Sequence, residues 1–212
     1  MSYTFLGPQG SGKGTQADIL AEKIGYVHIS SGEILREMAK TSGEIKKMLE
    51  EGAIVPDEDT LGYIDEYVQK HGYDFDKVIF DGYPRKVNQY VLLKNFLAQK
   101  GKSLEKVVYL SLSDESAVSR LSSRLTCRVC GKVYNTITNP PQELGKCECG
   151  GELFQREDDN PIAIGKRLAV YHENTIPVLE LARKDGLLLE VDGEQSIEKI
   201  ASDLETALKI SK

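Results

Sequence analysis

The nine residues Gly7-Pro8-Gln9-Gly10-Ser11-Gly12-Lys13-Gly14-Thr15 follow directly on the apolar run Tyr3 to Leu6 and open a helical pattern over Lys13 to Ile24. A strand that feeds a glycine-rich turn at the start of a helix makes an anion site. The glycines let backbone N–H groups converge, and the helix N-terminus adds a partial positive charge. Lys13 is placed to reach terminal phosphates. The spacing fits the phosphate-binding loop of Gly, four residues, Gly, Lys and then Ser or Thr, except that Gly14 stands where the hydroxyl is expected and Thr15 comes one place later. The hydroxyl that would hold magnesium is therefore displaced.

Outward from this loop, short β-rich runs alternate with longer helical patterns, the sign of a parallel sheet covered by helices. Strands are predicted at Tyr3 to Leu6, Tyr26 to Ile29, Val78 to Phe80, Val107 to Leu112 and Leu187 to Val191, each apolar on both faces. Helices are predicted over Lys13 to Ile24, Asp57 to Lys70, Val87 to Gln99, Glu115 to Leu125, Pro161 to Lys184 with a kink at Pro177, and Ile197 to Ile210. The expected fold class is α/β: a P-loop three-layer fold with a five-stranded parallel sheet flanked by helices. Segments 30–55 and 126–159 break the alternation and read as insertions on a core formed by 1–29, 56–125 and 160–212. The first opens with Ser30 and Glu33 at capping-box spacing. Asp81 ends the run Val78-Ile79-Phe80, so its carboxylate emerges at the carboxyl edge of the sheet beside the loop. Ligands of such sheets bind there, which makes Asp81 the candidate for magnesium, acting through one of the waters that ion retains.

The 212 residues carry 27 Lys plus Arg against 33 Asp plus Glu, a net charge of −6, and are 40% hydrophobic. This is a globular composition with enough chain for one or two domains. Apolar runs do not exceed four residues, far below the ~20 that cross a bilayer. The opening Met1-Ser2-Tyr3-Thr4-Phe5-Leu6-Gly7 lacks the layout of a leader, so a cytoplasmic location is expected. An acidic chain without a basic run is a poor general binder of nucleic acid.

All four cysteines, Cys127, Cys130, Cys147 and Cys149, fall within 23 residues. That clustering suits a metal clip in a reducing compartment better than a disulfide framework. Cys-X-X-Cys, sixteen residues, then Cys-X-Cys is close to a four-cysteine zinc pattern, with the second pair one residue tight. Four sulfurs on zinc, three with a carboxylate or water, or no metal all stay open. His28, His71 and His172 lie outside the segment. From Cys127 to Asp159, four basic residues face six acidic ones, the wrong balance for a zinc ribbon on a nucleic-acid backbone.

Five segments, in order and separation, resemble the adenylate kinases and their nucleoside monophosphate kinase relatives. They are Gly7 to Gln16, His28 to Arg36, Asp81-Gly82-Tyr83-Pro84-Arg85, Arg156-Glu157-Asp158-Asp159-Asn160, and Lys166-Arg167 with Tyr171-His172. The cysteine segment resembles the zinc-bearing lid of the family's long bacterial form. The resemblance implies reversible, magnesium-dependent transfer of the terminal phosphoryl group of ATP to AMP, giving two ADP, by a monomer that maintains the adenine nucleotide balance. The acceptor is then already an ionised phosphate and needs no general base, so positioning and charge neutralisation carry the catalysis. Arginines suit that task, because their guanidinium groups grip phosphates bidentately and keep their charge.

By resemblance, Arg36 and Arg85 hold the AMP phosphate, Arg120 and Arg124 the ATP phosphates, and Arg156 and Arg167 the group in flight. Arg120 and Arg124 are expected on one helical face at i, i+4. Gly10 to Thr15 cradle the ATP phosphates, with Val133, Tyr134 and Gln195 at its base and ribose. Ser31, Gln89 and the backbone of Ala53, Ile54, Val55 and Gly82 face the AMP base, in the segment that continues through Tyr83 and Pro84. Relatives that accept UMP or CMP carry asparagine near the Pro-Arg pair, and Asn88 stands there in this chain, so another monophosphate is the alternative acceptor. A small hydroxyl substrate would need a general base, for which no residue matches. The two insertions are expected to be covers that close over both nucleotides and keep water from competing as acceptor. His28 and His172 are expected to be packed or hydrogen-bonded helpers, and Tyr171 part of the core.

Overall fold

The computed structural model describes residues 1–50 and 55–210. The chain runs β1 (Ser2–Leu6), α1 (Lys13–Ile24), β2 (Val27–Ser30), α2 (Ser31–Met38), α3 (Gly43–Glu50), α4 (Asp57–Lys70), β3 (Val78–Asp81), α5 (Val87–Gln99) and β4 (Leu104–Ser111). It continues through α6 (Asp114–Ser122), β5 (Arg124–Cys127), β6 (Val133–Asn135), β7 (Leu153–Phe154), α7 (Pro161–Val170), α8 (Ile176–Lys184), β8 (Leu188–Asp192) and α9 (Ile197–Ala207). Five strands form one parallel sheet in the order β2-β3-β1-β4-β8.

Neighbouring residues of each central strand point to opposite faces, and both faces are covered. On one side Leu6, Phe80 and Val107 pack with Tyr90, Leu93 and Leu97 of α5 and Val178 and Ala182 of α8. On the other, Phe5, Ile79 and Val108 pack with Ala17, Leu20 and Ala21 of α1 and Ile200 and Leu204 of α9. Burying each large apolar side chain contributes on the order of 1.5–3 kcal/mol. Both layers rest on the strands that end at the glycine loop and at Asp81, so the ends of β1 and β3 are held from both faces. The parallel sheet and its helical layers agree with the expected fold class.

Three local expectations are corrected. The helix predicted to reach Leu125 stops at Ser122, where the Ser123 hydroxyl donates to the Ser119 carbonyl at 2.8 Å and Asn135 Nδ2 donates to that of Arg120 at 2.8 Å. Arg124 therefore lies on strand β5 and shares no helical face with Arg120. Ser30 stands at the N-cap of α2 without a side-chain capping bond, because it is still paired with Asp81 in the sheet. The strand runs into the helix with no turn in which the capping box could form. The bend foreseen at Pro177 is a π turn over Tyr171–Thr175, which runs directly into α8 with the proline in its first turn. A three-stranded antiparallel sheet of order β6-β5-β7 begins at Arg124, just ahead of segment 126–159, and otherwise lies within it.

Candidate active site

Lys13, the first residue of α1, folds back over its own loop. Its Nζ donates to the carbonyls of Gly7 at 2.9 Å and Pro8 at 2.8 Å. Burial, opposed by Asp81 and reinforced by Arg85, Arg167 and Arg124, lowers its pKa to about 8. An ammonium held this way is short of an anion. The sign of the linkage follows: the free protein loses this proton as pH rises through about 8, and bound phosphates draw the pKa back toward its ordinary value. Nucleotide binding is expected to take up about one proton per chain near pH 9. Calorimetric titrations in two buffers of different ionisation enthalpy measure this, and equal heats in both at pH 9 would contradict it.

Asp81 sits at the end of β3, paired with Phe5 on one side and Ser30 on the other. Burial pushes its carboxyl pKa up, but His28, Lys13 and Arg85 hold it below the usual range. His28 lies between two carboxylates, with Nδ1 2.7 Å from Asp18 and Nε2 3.6 Å from Asp81. Against the cost of burial, the pair raises its pKa to about 10. A Cβ built on Gly14 would stand 3.5 Å from Asp81 Oδ2 and 4.0 Å from His28 Cε1. Both distances are ordinary van der Waals contacts, so a Cβ would fit beside this pair and crowding does not explain the glycine. The Asp81 carboxylate beside the loop is an oxygen donor suited to a hydrated magnesium ion.

Beyond Asp81 opens a cleft of about 680 Å³ whose walls include Ser31, Arg36, Val55, Gly82, Tyr83, Arg85, Gln89, Arg156 and Arg167. Ser31 donates to the carbonyls of Gly82 at 2.9 Å and Asp81 at 3.2 Å. Arg85 is tethered three times: its Nε donates to the Gly82 carbonyl at 2.8 Å, its N–H to Gln89 Oε1 at 2.7 Å, and its carbonyl accepts from Thr175 at 3.1 Å. The π turn is what brings Thr175 within reach. Pro84 is buried, and the Tyr83 hydroxyl is buried with no protein partner among the described residues. Burial, aided by neighbouring guanidinium groups, lowers the pKa of Arg36, Arg85 and Arg167, and that of Arg156 to about 10. Crowded like charges of this kind are relieved by an anion. Ala53 and Ile54 lie outside the described residues.

Arg124 and Arg167 converge on Asp159, whose side chain is fully buried. Arg124 grips it with Nε at 2.7 Å and Nη2 at 2.5 Å, and Arg167 Nη1 stands 3.3 Å from it and 3.0 Å from Asp158. Arg156 donates to Thr126 at 3.0 Å. The sequence reading took only the arginine from the run Arg156 to Asn160. The two aspartates that hold its partners were legible as acidic residues beside it, but without a partner in view.

Other candidates lie apart from the cleft. Arg120 Nη1 donates to the Gly193 carbonyl at 2.8 Å, and Gln195 Nε2 to the Asp192 carbonyl at 3.1 Å. Both therefore gather at the turn after β8. A Cβ on Gly193 would stand 3.4 Å from the Ser11 carbonyl, so this turn abuts the glycine loop. Val133 is partly exposed, whereas Tyr134 is buried with its hydroxyl 3.4 Å from Cys147 Sγ.

The four cysteine sulfurs lie within 4.8 Å of one another, with neighbours at 3.4 and 3.5 Å. Zinc at ~2.3 Å from each sulfur of a tetrahedron needs edges of about 3.8 Å. The tight second pair is accommodated by a turn in which the Gly150 N–H meets the Cys147 carbonyl at 2.8 Å. Gly151 lies against the site, where a Cβ would stand 2.6 Å from Cys127 Sγ. Hydrogen bonds from Tyr134 and the Cys149 N–H bring Cys147 down to about 6. The Gly151 N–H favours the Cys149 thiolate, yet the sulfurs of Cys130, Cys127 and Cys147 push that thiol up to about 12. Such a cluster ionises fully only around a cation, and its donor set fits zinc.

A family model for adenylate kinase matches residues 5–187. An adenylate kinase of Archaeoglobus fulgidus is 40% identical over 215 residues, covering 99% of this chain and 98% of its own. Those of Thermosipho melanesiensis (41% over 210 residues, 96% and 97% covered) and Lysinibacillus sphaericus (39% over 218, all of both chains) are equally close in length. With matches that run nearly from end to end, the chain belongs to the adenylate kinase family.

Proposed function

We propose that this protein reversibly transfers the terminal phosphoryl group of ATP to AMP, giving two ADP. The observation that carries this reading is the convergence of Arg36, Arg85, Arg156 and Arg167 on one cleft that abuts Lys13 and Asp81. Gly10 to Thr15, Lys13, Arg120 and Arg124 take the ATP phosphates, and Val133, Tyr134 and Gln195 lie toward its base and ribose. Arg36 and Arg85 hold the AMP phosphate. Ser31, Gln89, Tyr83, Pro84 and the backbone of Ala53, Ile54, Val55 and Gly82 take the AMP base. Arg156 and Arg167 neutralise the group in transfer. Two polyanions repel each other, and these fixed cations offset that repulsion where charge builds up, without reorganisation cost.

Asp81 would hold, through water, the magnesium ion that accompanies ATP, and that ion would supply charge neutralisation on the phosphates. Zinc on Cys127, Cys130, Cys147 and Cys149 is structural, since a shell of four sulfurs leaves no position for substrate. Segments 30–55 and 126–159 act as covers that exclude water as a competing acceptor. We place its work, as a monomer, in the cytoplasm. No helix among the described residues is long and apolar enough to cross a membrane.

Asn88, the residue that raised UMP or CMP as acceptor, is exposed and donates to Asp57 at 3.2 Å, which gives that alternative no support. A coupled assay of each common nucleoside monophosphate, with ATP and again with GTP, tests the reading. AMP is expected to exceed every other acceptor in kcat/KM by about 100-fold or more, and a better rate with UMP or CMP would overturn the assignment.

A further inference from the structure

A glutamine amide has a donor side and an acceptor side, and their order decides which base edge it can read. Gln89 is 1% exposed, and its amide is held at both ends. Oε1 accepts the Arg85 N–H at 2.7 Å, and Nε2 donates to Oδ1 of Asp57 at 3.1 Å. Neither contact survives a flip, which would set N–H against N–H and a carbonyl oxygen against a carboxylate. Asp57, in the first turn of α4, is not on the cleft wall, and it is steadied in turn. Asn88 Nδ2 lies 3.2 Å from its Oδ2, and Lys86 Nζ 3.4 Å from its Oδ1.

These contacts leave one N–H and one lone pair of Gln89 free, in a fixed order. A 6-aminopurine offers an acceptor at N1 beside a donor at its amino group, whereas a 6-oxopurine offers the reverse. With the phosphate held by the arginines, the base cannot turn over to correct a mismatch. We propose that Asp57 is a positioning residue for base selection: by fixing the Gln89 amide it makes the acceptor site favour 6-aminopurine over 6-oxopurine monophosphates. Asn88 then serves the carboxylate rather than the base. The proposal rests on the reading of this cleft as the acceptor nucleotide site.

A purely structural Asp57, favourable at a helix N-terminus and paired with Lys86, would act on stability and not on base preference. Asp57→Ala and Asp57→Asn separate the two roles when each is assayed with AMP and with inosine monophosphate at saturating MgATP and each is melted. In Asp57→Ala, KM for AMP is expected to rise about tenfold with kcat falling less than about threefold, and the AMP preference in kcat/KM to drop about tenfold. Asp57→Asn keeps a carbonyl that accepts from Gln89, and so recovers most of the preference. An unchanged preference in Asp57→Ala overturns the proposal whether or not the melting temperature moves, and so does an equal loss in both variants. Should Asp57→Ala not fold, Asn88→Ala is expected to lower the preference about threefold, and no change there is equally fatal. A wild-type protein that does not phosphorylate AMP would instead refute the acceptor reading itself, a result distinct from an AMP kinase indifferent to Asp57.

Discussion

Replacing Lys13 by methionine is expected to lower the rate of phosphoryl transfer by about 10³-fold or more while the protein stays folded. The side chain makes its bonds within its own loop, to the carbonyls of Gly7 and Pro8 and more weakly to the Ser11 hydroxyl, so its removal leaves no partner element undocked. Methionine retains the length of the stem and gives up only a buried ammonium whose charge is already disfavoured. The thermal midpoint should therefore move by no more than about 3 °C. Arg85→Met is expected to cost a similar factor, since one guanidinium that meets the transferring region is worth about 10³–10⁵ in comparable systems. Its backbone stays tethered by Gln89 and Thr175, so a loss of rate reports on the guanidinium and not on a displaced strand end. Steady-state kinetics with calorimetric melting decides the matter. Near-normal turnover in either variant would remove that residue from the catalytic set.

The parts of the molecule that the sequence made legible share a physical character: they are set by neighbours in the chain. The loop from Gly7 to Thr15 announces its anion nest because backbone convergence needs glycine locally, and β1 and β3 are recognisable because strands buried on both faces must be apolar throughout. What escaped depends on partners far along the chain. The end of α6 is fixed by Asn135, twelve residues past Ser123, and the place of Arg124 by Asp159, thirty-five residues on. Periodicity carries neither fact, so extending the helix was the natural reading. The capping box at Ser30 failed for a related reason: the pattern was present, but the residue was already committed to the sheet. Gly14 shows the converse, an anomaly visible in the sequence that its surroundings do not account for, since a Cβ there would make only ordinary contacts with Asp81 and His28. Asp57 left no mark in the sequence beyond its place at a helix start. Its value lies in the amide it holds.

Removing the metal from the cysteine cluster is expected to lower the melting midpoint by about 10 °C or more, and the initial rate at low temperature by a smaller factor, about threefold at most. The argument begins with size. Strands β5, β6 and β7 have four, three and two residues, and the apolar core beneath them is Cys127, Tyr134, Cys147 and Leu153 with Leu125 packed alongside. Short strands over a core this small do not stand alone, and a bound ion that favours only the folded form supplies what packing cannot. Segment 126–159 is also anchored to the rest of the chain through Asp159 and Arg124, away from the sulfurs, which is why a cold, metal-free protein should keep most of its rate. Metal analysis should find one equivalent of zinc per chain. Cys149→Ser tests the tight second pair directly: if its sulfur is the fourth ligand, the variant loses zinc to a chelator at least about tenfold faster than wild type. Gly151→Ala presses a methyl group onto Cys127 Sγ and should do the same without removing any ligand. A chelated protein that melts unchanged would mean that the cluster holds no structural metal. A Cys149→Ser variant that retains zinc as well as wild type would leave a site of three sulfurs, in which the open position must be filled by water or a carboxylate.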